Sequence, residues 1–137
     1  MQQWLMKTEP STFGVDDLER APRHRTSWDG VRNYTARNFL RDSMKRGDQA
    51  FLYHSSCETP GVVGIMEIVK EGYPEDEAPW FKVDVKLVRR FDRIVTLATL
   101  REHESKELRG MLLLQRGNRL SITPVETAHW KFILSLV

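Results

Sequence analysis

The middle of the chain contains three strand-like segments in succession, with no helical segment between them. Gln49–His54, Val62–Ile68 and Phe81–Val88 are short, rich in β-branched or aromatic residues, and separated by connections that contain Pro or Gly. Such strands pair as antiparallel neighbours, whereas a doubly wound parallel sheet would need helices alternating with strands. One more strand is predicted near each end of the chain, at Trp4–Lys7 and Leu120–Ile122. This order indicates a small mixed barrel with helices packed outside it.

The third of these segments also indicates which way its side chains point. Phe81–Val88 alternates apolar and polar residues, so Val83 and Val85 are predicted to face the core. This register puts Trp80 just outside the strand or on its polar side. An indole in that position is unusual unless a ligand or another part of the protein covers it.

Three helices are predicted around the barrel, the first of them short. The first two are Val15–Arg20 and Tyr34–Lys45, and the second carries its apolar residues on one stripe. The third has the clearest start, because Thr123–Glu126 offers a Thr N-cap, a Pro at the first helical position and a Glu that completes a capping box. Trp130 lies on the apolar stripe of this helix and is assigned, like Trp4, to the core.

Size and composition exclude several classes of protein. A chain of 137 residues, 40% of them hydrophobic, is predicted to form one domain over residues 1–137. No signal-peptide pattern and no run of roughly 20 apolar residues is found, so a cytoplasmic protein with no membrane partner is expected. The single cysteine, Cys57, allows neither an internal disulfide nor a Cys-based zinc site. The histidines show no metal-ligand spacing, and no metal or cofactor is predicted.

The segment Ser27–Asn38 has a composition that folding alone does not require. It combines an indole, a phenol, amide side chains and two guanidiniums, and its Asp-Gly pair predicts a loop that would place Trp28 outside any strand or helix. An indole close to Arg32, Asn33 and Arg37 is what a site needs to stack a planar ligand, hydrogen-bond its edge and hold an attached phosphate. Plainer interpretations stay open, since Trp28 could close the end of the barrel and Asn33 could cap the next helix.

Positive charge is concentrated in the same part of the chain. The overall excess is only +2 at pH 7, but Arg20–Arg46 contains eight basic and two acidic residues. Acidic residues collect after it, between Glu58 and Glu77. The local excess indicates either a solvated basic helix or a face that follows a phosphate backbone.

Five motifs, taken in order, resemble the EVE domain family over essentially the whole chain. They are Trp4-Leu5-Met6-Lys7-Thr8-Glu9-Pro10, Trp28-Asp29-Gly30-Val31-Arg32-Asn33-Tyr34 with Ala36-Arg37-Asn38, Tyr53-His54-Ser55, Gly61-Val62-Val63-Gly64, and Arg116-Gly117-Asn118-Arg119-Leu120-Ser121. The resemblance implies an α+β fold, a PUA-like mixed pseudo-β-barrel of about five to six strands with helices packed outside, related to the YTH domain. It further implies a nucleic-acid-binding module, not an enzyme, that accommodates a flipped, methylated or oxidised base of DNA or RNA.

The resemblance, extended to the more distant YTH domain, also implies roles for individual residues. Trp28 and Trp80 would sandwich the base, which agrees with the strand register at Trp80. The residues expected at the edge of the base are Asn33 and Ser55, with Thr8 and His54 nearby, and those expected at phosphate are Lys7, Arg37 and Arg116. Relatives often have a longer loop where this chain has Tyr73–Pro79, so a pocket wall built by that loop would be shortened here.

Two other functions are compatible with these residues. His54 and Cys57 lie three residues apart at a strand end and would form a thiolate pair if they touched, as in a small enzyme acting on nucleotide or thioester substrates. No third orienting group accompanies them in the sequence. The basic helix could instead be an interaction module for an acidic protein, with Arg37 and Arg41 at the contact.

Overall fold

The computed structural model describes residues 1–137 and consists of six strands, four α-helices and short 3₁₀ and π turns. The strands are β1 (Gln3–Thr8), β2 (Arg25–Trp28), β3 (Gln49–His54), β4 (Gly61–Pro74), β5 (Phe81–Thr96) and β6 (Ile122–Val125). The helices are α1 (Val15–Arg20), α2 (Tyr34–Asn38), α3 (Leu97–Glu102) and α4 (Thr127–Ser135), with a π turn at Phe39–Ser43 and 3₁₀ turns at Pro22–His24 and Leu112–Leu114. None of the helices is long and apolar enough to cross a membrane.

All six strands belong to one sheet, in the order β2-β5-β4-β3-β1-β6. Strands β1 and β3 are parallel, and every other neighbouring pair is antiparallel. The central strands β3, β4 and β5 are the antiparallel succession predicted from the sequence, although β4 and β5 run well beyond the predicted ends. Register shifts along the β4–β5 ladder bend these two long strands. The predicted α+β class, a mixed sheet with helices packed outside it, is confirmed.

The sheet curls so that strands far apart in its order share one core. Trp28 of β2 and Met6 of β1 belong to the same buried cluster, although β5, β4 and β3 lie between their strands in the sheet. Closing a sheet in this way requires the twist and bending that the bulged β4–β5 pair supplies. The ends of β1 and β2 therefore face each other at an incompletely closed part of the barrel.

A second core lies on the other face of the sheet, under α3 and α4. The rings of Phe51 and Trp130 stack there with centroids 3.8 Å apart and planes 18° apart. In the first core Trp4 is 2% exposed, and its indole N–H donates to the buried carboxylate of Asp48 over 3.1 Å. Trp4 and Trp130 are thus core residues, as predicted.

The start of the last helix is not where the sequence predicts it. Thr123 and Pro124 lie in β6, which pairs antiparallel with β1, and α4 begins at Thr127 after the cap residue Glu126. Pro124 is tolerated because β6 is an edge strand, where one side of the backbone has no partner. Pairing with β1 outweighs the local helix signal, and the capping-box prediction at Thr123 is wrong.

Two further elements differ from the sequence prediction. The helix predicted over Tyr34–Lys45 is α-helical only to Asn38 and is followed by the π turn at Phe39–Ser43. Ala36, Leu40 and Met44 of the predicted apolar stripe are nevertheless all buried. Strand β2 is not predicted at all. It pairs with β5 so that Trp28 lies opposite Val83, and Trp28 is therefore the last residue of a strand, not part of a loop.

Candidate functional site

A cleft of about 600 Å³ lies where the ends of β1 and β2 face each other. One wall is formed by Lys7 and Thr8 at the end of β1 and by Phe13 in the connection to α1. The opposite wall is formed by Trp28 at the end of β2 and by the segment from Asp29 to Arg32 that follows it. The residues lining the cleft are mostly polar, and its apolar members are Phe13, Trp28 and Val31.

Trp28 connects the cleft to the first core. The residue is 7% exposed and packs in the buried cluster behind the cleft. Its indole N–H has no hydrogen-bond partner in the protein, and the nitrogen is not among the fully enclosed unpaired atoms, so this donor keeps contact with solvent. Gly30, with φ of 76°, turns the chain away from the strand end directly afterwards. The ring is thereby fixed in place while its N–H stays available to a ligand.

Three of the residues predicted to contact a base hold the first wall together. The Thr8 hydroxyl donates to the carbonyl of Phe13 over 2.7 Å, and the Ser55 backbone N–H donates to the carbonyl of Thr8 over 2.9 Å. His54 Nε2 accepts the backbone N–H of Val15 over 3.1 Å, at the first turn of α1. Of these three, only Thr8 also lines the cleft. Because its hydroxyl hydrogen is engaged, Thr8 can offer a ligand only acceptor lone pairs.

The predicted thiolate pair is not formed in this structure. Burial lowers the pKa of His54, and its acceptor nitrogen is already engaged by Val15, which fixes the neutral form with hydrogen on Nδ1. No hydrogen bond links His54 to Cys57, which is partly exposed in the turn after β3. Nor do any three His, Cys, Asp or Glu side chains approach one another closely enough to hold a metal ion. The arrangement shows no nucleophile with a base to activate it.

Lys7 supplies the positive charge of the first wall. Its backbone N–H donates to the carbonyl of Ser121 over 2.8 Å, which secures the end of β1 against the segment before β6. The side chain is half-buried and lines the cleft, and its ammonium takes part in no ion pair. Burial lowers the pKa of Lys7, because the ammonium loses water without gaining a carboxylate. An anionic group in the cleft would provide the missing partner.

The second wall is held by a carboxylate from the distant β4–β5 connection. Glu75 accepts two hydrogen bonds from the Arg32 guanidinium, both of 3.0 Å, and a third from the backbone N–H of Gly30 over 3.2 Å. The hydrogen bond with Arg32 is the main reason why the pKa of Glu75 is lowered. This contact fixes the segment after Trp28 in one conformation.

Trp80 does not line the cleft. Its ring lies 5.1 Å from that of Tyr34 at an interplanar angle of 30°, and the guanidinium carbon of Arg32 stands 5.1 Å from the Trp80 centroid. Arg32, not Trp80, is the lining residue, so the structure does not bring the two predicted indole walls to opposite sides of one space. Asn33 caps α2 by accepting the Ala36 N–H over 3.1 Å, which is the plainer of its two predicted roles.

The two remaining predicted phosphate contacts lie outside the cleft as well. Arg37 donates to the carbonyl of Pro79 over 3.1 Å and has no carboxylate partner. Arg116 is exposed in the turn at Gly117, on the segment that leads to Ser121 of the cleft. The basic stretch Arg20–Arg46, for which a basic helix was one of two interpretations, is divided among α1, a 3₁₀ turn, β2, α2 and the π turn, so it does not form a single helical face.

Sequence reasoning missed Phe13, Ser121 and Glu75. Phe13 and Ser121 carry no local signal, because they reach the cleft only through the pairing of β1 with β3 and β6. Glu75 appears in the sequence as one of a run of acidic residues, and its partner Arg32 lies 43 residues away. The only hint was the opposite charge of the two segments.

Comparisons with known proteins agree over nearly the full length of the chain. The model of the EVE domain family matches residues 2–136. Human thymocyte nuclear protein 1 (THYN1) is 41% identical over 165 aligned positions, which cover 97% of this chain and 72% of that protein. Those positions outnumber the 137 residues of this chain, so the human protein has additional residues inside the matched region.

Solved structures match equally well. The crystal structure of human THYN1 in complex with DNA containing 5-methylcytosine superposes with a TM-score of 0.92 and 40% identity, covering 99% of this chain and 97% of that one. A crystal structure of a Pseudomonas syringae protein gives a TM-score of 0.89 and 41% identity, covering 98% of each chain. These matches confirm the predicted PUA-like fold.

Proposed function

The chain belongs to the EVE domain family, and from this premise we propose that it binds nucleic acid by taking one unstacked, modified base into the cleft beside Trp28. The observation that carries the proposal is the cleft itself, in which a fixed indole with a free N–H lies opposite an unpaired ammonium. The similarity to a human protein crystallised with DNA containing 5-methylcytosine supports it.

Each lining residue has a distinct part in this proposal. The Trp28 ring packs against the base, and its N–H donates to an acceptor on the base or sugar. Thr8 accepts from an N–H of the base, since its own hydrogen is engaged with Phe13. Lys7 pairs with phosphate or with an electronegative edge of the base. Arg32 lines the side of the cleft next to Trp80, where Glu75 holds its guanidinium in place.

The other predicted site residues act mainly as supports. Ser55 and His54 hold the first wall, Asn33 fixes the start of α2, and Trp80 backs Arg32 without touching the base. Arg116 remains a proposed phosphate contact, since it is an exposed cation on the segment that ends at the cleft. The shortened Tyr73–Pro79 connection leaves the outer side of the cleft to Arg32 and Glu75.

The energetics favour bases that are already partly unstacked. Extruding a base from a duplex costs a few kcal/mol, and stacking on an aromatic ring returns about 1–3 kcal/mol. Single strands, ends and damaged pairs are therefore the preferred targets. A fitted apolar contact with one methyl group contributes about 1–3 kcal/mol, which predicts a preference of about 10- to 200-fold for a methylated base over its unmodified form.

The test compares short single-stranded oligonucleotides that carry one central base: unmodified, 5-methylcytosine, other methylated bases or oxidised bases. Affinities are measured by fluorescence anisotropy for the wild type and Trp28→Leu. The matched control is Trp130→Leu, which removes an indole from the second core, away from the cleft. Folding of both variants is checked by circular dichroism, and Trp28→Phe replaces Trp28→Leu if the latter does not fold.

The proposal predicts that the wild type prefers one class of modified base. It predicts that Trp28→Leu loses most of this affinity while Trp130→Leu keeps it. Equal affinity for every base, or unchanged binding by Trp28→Leu, would refute the proposal.

A further inference from the structure

At the rim of the cleft, four side chains form a ladder in which two neighbouring rings lie between two cations. In order they are Arg32, Trp80, Tyr34 and Arg37. Each neighbouring pair is separated by 5.1 Å, measured from ring centroid to ring centroid for Trp80 and Tyr34 and from guanidinium carbon to ring centroid for the two outer pairs. The ladder joins the segment after β2 and the start of α2 to the connection between β4 and β5.

The ladder is held in place by its own hydrogen bonds. Arg32 is bound by Glu75 through two hydrogen bonds, and Arg37 donates to the carbonyl of Pro79 over 3.1 Å. The backbone N–H of Glu75 donates to the carbonyl of Trp80 over 2.9 Å, which closes the connection on which Trp80 stands. The rings are thus positioned before any ligand arrives, which lowers the entropic cost of stacking on them.

The Tyr34 ring is largely exposed to solvent, and packing of the fold does not explain an aromatic residue at this position. It is 60% exposed at the first position of α2, so it contributes little to either core. Next to it Arg37 has no carboxylate partner and stands over the Tyr34 ring. An exposed ring beside an unpaired guanidinium is the combination that proteins use to stack a base and meet its phosphate.

The ladder begins at the rim of the cleft. Arg32 lines the cleft, and its guanidinium carbon lies 5.1 Å from the Trp80 centroid. A ligand that enters the cleft and continues past Arg32 therefore reaches Trp80 and Tyr34 next. Arg32 is paired with Glu75, so Arg37 is the cation of the ladder that is left to meet the phosphate of a strand.

We infer that Tyr34 and Trp80 form a second platform, on which the base of the nucleotide next to the one in the cleft stacks. On binding, Arg37 leaves the Tyr34 face that it covers and contacts the intervening phosphate. This inference rests on the proposed function, because it places the platform beside a base that is already bound. The ligand is then a single strand of at least two nucleotides. The exposed aromatic pair contributes to affinity for this strand but does not contribute to selectivity for the modified base.

The test separates the platform from the cleft by ligand length. Affinities for the modified nucleoside alone and for a trinucleotide with that base in the centre are measured by NMR titration for the wild type, Tyr34→Ser and Tyr34→Phe. Tyr34 is a suitable site because its side chain is mostly exposed. Val88→Ser serves as the control, since Val88 is 51% exposed on β5 and lies outside the ladder.

Tyr34→Ser is expected to weaken binding of the trinucleotide by about 5- to 150-fold, which corresponds to the loss of one base–aromatic stack. Its affinity for the nucleoside is expected to stay unchanged. Tyr34→Phe keeps the ring and is expected to bind both ligands as the wild type does. An unchanged trinucleotide affinity in Tyr34→Ser overturns the inference, as does an equal loss for both ligands, which would make Tyr34 a support of the cleft. Tyr34-dependent binding of an acidic aromatic peptide without binding of the trinucleotide also overturns it.

Failure of the proposed function would look different. In that case the wild type would bind no nucleoside, or Trp28→Leu would bind it unchanged. With the cleft empty, the platform has no neighbouring base, and the inference is overturned together with the proposal.

Discussion

Replacing Thr8 by Val tests whether the first wall of the cleft is held as the structure indicates. Valine has nearly the same shape as threonine and suits a strand end, but it cannot donate to the Phe13 carbonyl, which the hydroxyl reaches over 2.7 Å. A neutral hydrogen bond contributes about 1 kcal/mol, and an unpaired buried acceptor costs about 1–3 kcal/mol. Both residues are only partly buried, so we expect a loss of about 1–2 kcal/mol in the free energy of unfolding.

Thr8→Ser is the matched control, because it keeps the hydroxyl and removes only the methyl group. Urea denaturation followed by circular dichroism measures both variants, and the loss expected for Thr8→Val corresponds to a fall of about 4 to 8 °C in the melting temperature. Thr8→Val should also bind the modified oligonucleotide more weakly, since the segment that carries Phe13 is released. A Val variant as stable as wild type, or a Ser variant destabilised to the same extent as the Val variant, would show that the hydroxyl does not hold this wall.

Two further substitutions test the elements around the cleft. His54 accepts the Val15 N–H in its neutral form, and its pKa in the folded protein is lowered. As the pH falls, the unfolded chain therefore binds a proton before the folded protein does. The contribution of His54 to the free energy of unfolding is complete above about pH 6.5 and is lost as the pH drops below that value. His54→Gln keeps an acceptor without titrating, and its unfolding free energy should lack this dependence between pH 7 and pH 5 in denaturation measurements; an unchanged slope contradicts the assignment. Gly72→Ala should lower the free energy of unfolding by about 1–3 kcal/mol, because the added Cβ would lie 2.2 Å from the Leu40 carbonyl oxygen. A variant with the melting temperature of the wild type would contradict that contact.

The elements that the sequence predicts well are those decided by local patterns. The alternation along the first half of β5 places Val83 and Val85 in the core, as expected, because one face of the strand is apolar from Phe81 to Leu87. Helix α1 has the predicted bounds. The signals at Thr123 and Pro124 are just as clear, yet they fail, because the pairing of β6 with β1 joins residues more than a hundred positions apart. Local propensity has no information on such a partner.

The candidate site shows the same division. Lys7, Thr8 and Trp28 were predicted as site residues and all line the cleft. The partners that hold the cleft were not predictable, since Glu75 meets Arg32 only after β4 and β5 have paired and brought their connection beside β2. Trp80 and Tyr34 also lie far apart in the sequence, so their contact could not be predicted from local patterns and is seen only in the folded chain.

Entry of a base into the cleft beside Trp28 can be observed directly by NMR. The chain has four tryptophans, so its ¹H–¹⁵N NMR spectrum contains four indole N–H signals, which single substitutions assign. Titration with the modified nucleoside should shift the Trp28 signal strongly, because its N–H is the free donor in the cleft, and should leave those of Trp4 and Trp130 in place. The Trp80 signal should move further only when a neighbouring nucleotide is added. If a saturating concentration of the nucleoside leaves the Trp28 signal in place, or shifts only the Trp80 signal, the base does not bind beside Trp28 as proposed.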